Sequence, residues 1–326
     1  MPTGTSHRVL PPTLIPESIW SVGKQMLRLP DPLAGAYIEL VDRLGLRELG
    51  NRRDEGTAPV GGQQSDHAHR HFAQAFDGSA ARAMLTMLDP RDQLGSTSNT
   101  LITCTAGNTL CLTDSPCGAA AASLAMLCTL ADLREQKVLP RLPLTVRWVG
   151  AELSPDALKL AQTLFEALSP TLAAQAIFVE PTFVPWDVTD TISNTDLIKT
   201  LIHLSDDDAM RLLIVANFNG FLEKKHKRKE ARDQLDELFR YASGINSFAI
   251  WIEPNQNRAT ASGGLFPWLI QQVQTAWQRF VGSSDESTEN VPMFTSDARF
   301  WLPLQPDKSA RVTLAVVSLK LARQPS

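Results

Sequence analysis

Between residues 100 and 253 short apolar runs alternate with longer segments of helical period. The runs are TLCLT at 109–113, LTVRWVG at 144–150, AIFVE at 176–180, RLLIVA at 211–216 and SFAIWIE at 247–253. Helical spacing predicts helices over 118–135, 154–168, 190–203 and 228–243, and over 263–281 after the fifth run. Apolar residues at successive strand positions need cover on both faces. This predicts an α/β fold: a doubly wound, mostly parallel sheet with helices on either side and right-handed crossovers. The alternation then breaks. ARFWLPL at 298–304 and ARVTLAVVSLKLA at 310–322 are separated only by the polar QPDKS, too little for a helix. An antiparallel β-hairpin is expected there.

The first hundred residues have a different pattern. Residues 1–15, rich in Pro, Thr and Gly, predict an arm or disordered lead. Residues 16–48 show helical periodicity broken by LPDP, and 49–66 read as a polar, glycine-rich loop. Residues 67–89 again read as helical, with a break near DGS at 77–79 and Ser79 as N-cap of the second piece. The expected division is a mainly helical cap or extension over 1–100 and a sheet domain over 101–326.

Composition narrows the classes. A 326-residue chain with 43% hydrophobic and 20% charged residues buries a substantial core. A net charge of −4 gives no global attraction for nucleic acid. One local exception is EKKHKRKEAR at 223–232, whose 224–232 stretch is a candidate phosphate contact or a solvated helix start. Phe221 and Phe239 are the few aromatic neighbours for base stacking. The four cysteines, Cys104, Cys111, Cys117 and Cys128, form no CxxC pair, so no metal site is expected. They read as buried reduced thiols of a cytosolic protein. No signal peptide and no stretch of about 18 apolar residues is present, which predicts a cytoplasmic chain without a membrane partner. In DHAHRH, His67 and His71 share a helix face, and one histidine of the three could serve as a base in a cap over a site. Trp268 and Trp277, on an amphipathic segment, read as core or interface anchors.

Five motifs supply candidate chemistry. TLCLTDSPCGAAAASLAML runs from an apolar strand through a sharp turn into a helix N-terminus, a device suited to anions and nucleotides. VGAELSPDALKLAQ ends the second strand on Glu152, 38 residues after Asp114. FVPWDVTD follows the third strand, IVANFNGFL ends the fourth, and WIEPN ends the fifth. In this order, with the terminal hairpin, they resemble the class I S-adenosylmethionine-dependent methyltransferases over residues 105–322. DSPCGAA aligns with that superfamily's Asp-x-Gly-x-Gly-x-Gly turn and keeps the middle glycine as Gly118. Pro116 and Ala120 replace the other two.

The resemblance implies a Rossmann-like sheet of seven strands whose last two form the hairpin, and S-adenosylmethionine as cofactor. It implies that Asp114 attracts the cofactor ammonium, and that Pro116, Cys117 and Gly118 let the backbone approach the methionine portion. Glu152, with Leu153 beside it, would take the ribose hydroxyls. Trp186 and Asp187 would meet the adenine. Asn217 would face the methyl donor, and Asn217 and Asn219 are the candidate catalytic side chains. The absence of an Asn/Asp-Pro-Pro-aromatic motif lowers adenine or glutamine amino groups as acceptors, leaving RNA or a small molecule. A dehydrogenase would call for a GxGxxG turn, which is missing. The competing reading is a non-catalytic methyltransferase-like scaffold or partner subunit, favoured by the eroded glycine turn.

Overall fold

The computed structural model describes residues 8–52, 64–205, 209–224, 227–243, 246–255 and 293–320. The helix expected over 263–281, with Trp268 and Trp277, lies outside the described residues.

The protein is α/β, built on one mixed, mostly parallel sheet. Its central strands are β3 (Asn108–Asp114), β4 (Leu144–Glu152), β5 (Ile177–Pro185), β6 (Met210–Ala216) and β7 (Ser247–Glu253). They pair in parallel in the order β7-β6-β3-β4-β5. The C-terminal hairpin, β8 (Met293–Leu302) and β9 (Gln305–Lys320), joins antiparallel through β9 on β7. The sheet has nine strands rather than seven. The two additional strands are a short N-terminal hairpin, β1 (Trp20–Ser21) and β2 (Met26–Leu27), with β2 parallel to β8. Helical periodicity over 16–48 misses it because Trp20 and Leu27 are buried against the sheet edge, and tertiary pairing overrides local spacing.

Both faces of the sheet are covered, as the apolar strands require. Alternate residues divide between two cores. Leu212, Ile214, Ile250, Ile252, Val146 and Trp148 face one; Leu213, Val215, Ala249, Trp251, Val149 and Ala151 face the other. On the first face pack α1 (Asp31–Arg43), α3 (Ser65–Leu88), α4 (Thr97–Cys104), α5 (Ala121–Glu135) and α6 (Pro155–Ala174). On the second pack α7 (Thr191–Leu204) and α9 (Arg228–Tyr241), with Phe218 and Leu222 at the short α8 (Asn219–Lys224). The short α2 (Arg47–Asn51) lies before α3.

Capping residues set several helix starts. The Ala157 N–H donates to Ser154 Oγ at 3.3 Å, and the Ile192 N–H donates to Asp190 Oδ1 at 2.9 Å. Each satisfies one exposed donor of a first turn.

Three expectations are corrected. Helix α3 runs unbroken from Ser65 to Leu88, so Ser79 is no N-cap. Burial of Phe76, Ala80, Ala81 and Met84 carries the helix through DGS despite the glycine. The terminal hairpin turns at Pro303–Leu304, and QPDKS begins β9, because Leu302 and Leu304 are held in the core. The N-terminal arm is anchored from residue 8 onward. The Arg8 guanidinium donates to Asp89 Oδ2 at 3.0 Å, to Asp92 and to Ser98. Asp89, fully buried, also accepts from the Gln93 and Leu94 N–H groups.

Removing one member of a buried pair leaves the other charge uncompensated. Arg8→Ala is expected to destabilise the fold by about 3 kcal/mol. Urea unfolding followed by circular dichroism checks this; a midpoint equal to that of the unaltered chain would contradict it.

Candidate functional site

Strand order reverses at the centre of the sheet. From β3 the chain first builds outward to β4 and β5, then crosses back to place β6 on the other side of β3. In open α/β sheets the crevice outside the carboxyl ends of the strands at such a point is the ligand site. Asp114 ends β3 and Asn217 follows β6, so these two residues flank it.

The turn after β3 is tied to both neighbouring strands. The Ser115 N–H donates to the Ile214 carbonyl at 3.0 Å, and the Cys117 N–H donates to the Ala151 carbonyl at 2.9 Å. The Ser115–Pro116 peptide is cis. Gly118 adopts φ +55° and Ala120 φ +62° before α5 begins. Positive φ suits glycine and strains alanine. Gly150 on β4 is needed for a different reason: a Cβ there would sit 2.7 Å from the Phe183 ring and 3.3 Å from Cys117 Sγ.

Glu152 closes this turn from the side. Its Oε2 accepts from the Gly118 N–H and its Oε1 from the Ser154 N–H, each at 3.0 Å. Burial pushes the carboxyl above its usual range, while bonds from the Ser154, Gly118 and Leu153 N–H groups oppose that shift. Leu153 is half-buried beside it. An ionised carboxylate offers about four acceptor sites. The three N–H bonds leave about one of these sites for a further donor.

Asp114 is buried at the bottom of the turn. Its Oδ2 accepts from Ser123 Oγ at 2.6 Å, while its Oδ1 has no hydrogen-bond partner among the described residues. Ser115 Oγ is likewise buried and unpartnered. Two neighbouring orphaned oxygens at a strand end mark a place where a polar ligand or water completes the bonding. Burial raises the Asp114 carboxyl to about 7; the Ser123 bonds lower it, and Glu152 raises it further. Burial and the Asp114 and Glu152 charges also push the Cys117 thiol well above its usual range, which makes it a poor nucleophile.

The other candidates fall into different surroundings. Trp186 is buried on the helix side, tilted against Phe218 at 5.9 Å, with Nε1 donating to Asn194 Oδ1 at 3.1 Å. Asp187 is half-buried, and its Oδ1 accepts from the Thr189 N–H and Oγ1 at 2.9 and 2.7 Å. Asn217 sits at φ +55°, with its amide clamped on both sides. Its Nδ2 donates to Ser79 Oγ at 3.1 Å, and its Oδ1 accepts from Arg82 Nε at 3.0 Å. The side chain of Asn219 lies outside the described residues. Glu253, at the end of β7, accepts at Oε1 from the Phe218 N–H at 2.9 Å and from Trp251 Nε1 at 2.7 Å. It braces the Asn217–Phe218 corner from below.

Of the basic run, Lys227 donates to Thr189 Oγ1 at 3.1 Å. Lys225 and His226 lie outside the described residues, as do the side chains of Glu223, Lys224 and Arg228. Sequence reasoning missed Arg82. No local pattern marks it, since its partner Asn217 lies 135 residues away. Among the described residues no group of three or more His, Cys, Asp or Glu could hold a metal ion, and no helix is long and apolar enough to cross a membrane. No family model matches the chain, and no curated protein matches it.

The Asp114 shift has a sign that can be measured. The unfolded carboxyl loses its proton near its ordinary 3.8, whereas the folded one keeps it to about 7. Between those values the folded state binds more protons, so Asp114 makes stability fall as pH rises, by at most about 1.4 kcal/mol per pH unit. Asp114→Asn is expected to remove this slope and to be the more stable chain above pH 7. Unfolding free energies from pH 4 to 8 test it; parallel profiles for the two chains would contradict it.

Proposed function

We propose that the chain is an S-adenosylmethionine-dependent methyltransferase. The observation that carries this reading is the meeting of the Glu152 carboxylate with the turn at Gly118, at the reversal point of the sheet. The antiparallel β8–β9 hairpin closing the parallel strands also supports it. A dinucleotide-dependent dehydrogenase would leave that hairpin unexplained.

The residues fit the cofactor on one independent ground, the orphaned oxygens of Asp114 and Ser115. Asp114 Oδ1 would receive the ammonium, directly or through water. An arriving cation favours the ionised carboxylate and offsets its burial. The remaining acceptor capacity of Glu152 would take the ribose hydroxyls. When bound, the cofactor supplies a sulfonium-activated methyl group. The chain's own part is to align the acceptor with that methyl and to exclude water. Asn217 acts here as a positioning residue, since its amide already holds Ser79 and Arg82. Trp186 and Asp187 contribute a wall rather than free polar groups, Trp186 through the packing that shapes the floor beside β4.

A second reading, the binding scaffold without catalysis, is favoured by one observation. Glu152 has both oxygens engaged by its own backbone, and Ala120 holds a strained conformation where a glycine would be relaxed.

Titration calorimetry with S-adenosylhomocysteine separates the two. Micromolar binding is expected, and Glu152→Ala should weaken it at least about thirtyfold, since two charge-assisted bonds are lost. Glu152→Gln, which keeps the shape, should lie between. Absence of heat at millimolar ligand would contradict the enzyme reading, and equal affinity for Glu152→Ala would contradict the ribose assignment.

A further inference from the structure

The terminal hairpin outgrows the parallel sheet. Glu253, the last residue of β7, pairs with Ala315, and β9 extends from there back to Gln305. Arg311 stands four positions before Ala315, about 14 Å beyond the carboxyl ends of the parallel strands. This part of the hairpin has two unlike faces. Ala298, Phe300, Leu302 and Val312 are buried toward the first core. On the other face Arg299 pairs directly with Arg311, Trp301 with Ser309 and Asp297 with Thr313, and each of these side chains is exposed or half-buried. Strand β2 widens that face, since Met26 pairs with Arg299 and the exposed Arg28 follows two positions later. The Arg28 guanidinium and the ammonium of exposed Lys24 lie over the Trp301 ring, 5.0 and 5.5 Å from its centre.

Charge on this face is unbalanced. Asp297 is shared, its Oδ1 accepting from Arg91 at 3.0 Å and its Oδ2 from Arg311 at 3.1 Å. Glu17, ahead of β1, accepts from Ser21 Oγ and the Val22 N–H. Arg299 donates to Ser309 Oγ, and among the described residues neither it nor Lys24 nor Arg28 meets a carboxylate. Like charges directly opposite one another on a sheet are destabilising. The Arg299–Arg311 pair is a cost that the hairpin's own packing does not repay.

We infer that this face of the hairpin docks single-stranded RNA through its sugar–phosphate chain. Charge complementarity carries the choice: phosphates laid across Arg311, Arg299 and Arg28, on three adjoining strands, relieve the repulsion between the arginines. Guanidinium groups suit phosphate oxygens, which can accept two parallel bonds. The hydroxyls of Thr295, Ser309 and Thr313 stand among these cations on the same face and can bond to ribose 2′-hydroxyls. An acidic protein segment would leave those hydroxyls without a role. The inference goes beyond the methyltransferase reading and does not need it. Where both hold, the hairpin delivers a nucleic-acid acceptor to the rim it overhangs.

The probe is a fluorescent oligouridylate of about 12 nucleotides, a length suited to one strand-binding surface, read by anisotropy with the full chain over a series of salt concentrations. Lys24, Arg28 and Arg299 changed together to Gln are expected to weaken binding at least tenfold and to flatten the salt dependence by a log–log slope of about 2. Arg141, Lys159 and Lys199, exposed cations elsewhere, changed together to Gln remove the same net charge and should leave binding unaltered. Arg299→Gln alone should weaken binding while melting no lower than the unaltered chain, because a repulsion is lost; Arg299→Lys should keep most of the binding. The 2′-deoxy oligomer should bind more weakly than the RNA, and a polyglutamate of equal length should compete poorly. Equal losses in the two triple variants would show a response to net charge alone and overturn the inference. It would also be overturned by deoxy oligomer or polyglutamate binding as tightly as RNA, or by Arg299→Gln lowering the melting temperature with RNA binding unchanged. S-adenosylhomocysteine takes no part in the titration, so its failure to bind would sink the methyltransferase reading and leave this one standing.

Discussion

The contact between the Glu152 carboxylate and the Gly118 N–H fixes the relation of everything else at the site. It joins the end of one strand to the turn leaving the next, across 34 residues of chain. That turn cannot relax outward, because its Cys117 N–H is also held by Ala151 and its Ser115 N–H by Ile214. The result is a rim with a carboxylate on one side, a buried carboxyl beneath, and backbone between. Maintaining two acidic groups this close in a buried place costs energy, visible in the upward displacement of both carboxyls. Two adjacent buried oxygens without a partner among the described residues, Asp114 Oδ1 and Ser115 Oγ, stand at the strand reversal.

The sheet explains why the rim can hold its shape. Strands β4, β6 and β7 are apolar on both faces, and helices cover both, so their register is specified from two sides. Helix α3 adds a third constraint. Tyr37, Phe72 and Phe76 stack together, the Tyr37 hydroxyl donates to the Ala73 carbonyl at 2.7 Å, and this anchors the helix against α1. The far end of the same helix reaches Asn217 through Ser79 and Arg82. A rigid element thus brings the N-terminal region to the edge of the crevice, where loops alone would hold side chains less firmly.

Much of this was legible in the sequence, and the reasons differ by element. Strand β7 was read with its boundaries, because SFAIWIE is bounded by polar residues and fully apolar within. Ser154 and Asp190 are ordinary cap residues directly before their helices, a local signal that packing does not disturb. The juxtaposition of Glu152 and the 114–120 turn was inferred from spacing and resemblance, and the two do lie side by side. What escaped depends on distant partners. The β1–β2 hairpin forms only because β8 offers an edge, some 270 residues away in the chain. The continuity of α3 through Gly78 depends on burial around it. Arg82 carried no local sign of its role, since its partner Asn217 is 135 residues distant.

The most direct measurement is a crystal structure of the chain grown with S-adenosylhomocysteine. The ribose hydroxyls are expected about 3 Å from the Glu152 carboxylate oxygens, with the amino-acid portion over the turn at 116–118 and its ammonium toward Asp114. A nucleoside bound elsewhere, or a rim in which side chains fill the space beside Glu152 under saturating ligand, would contradict the account.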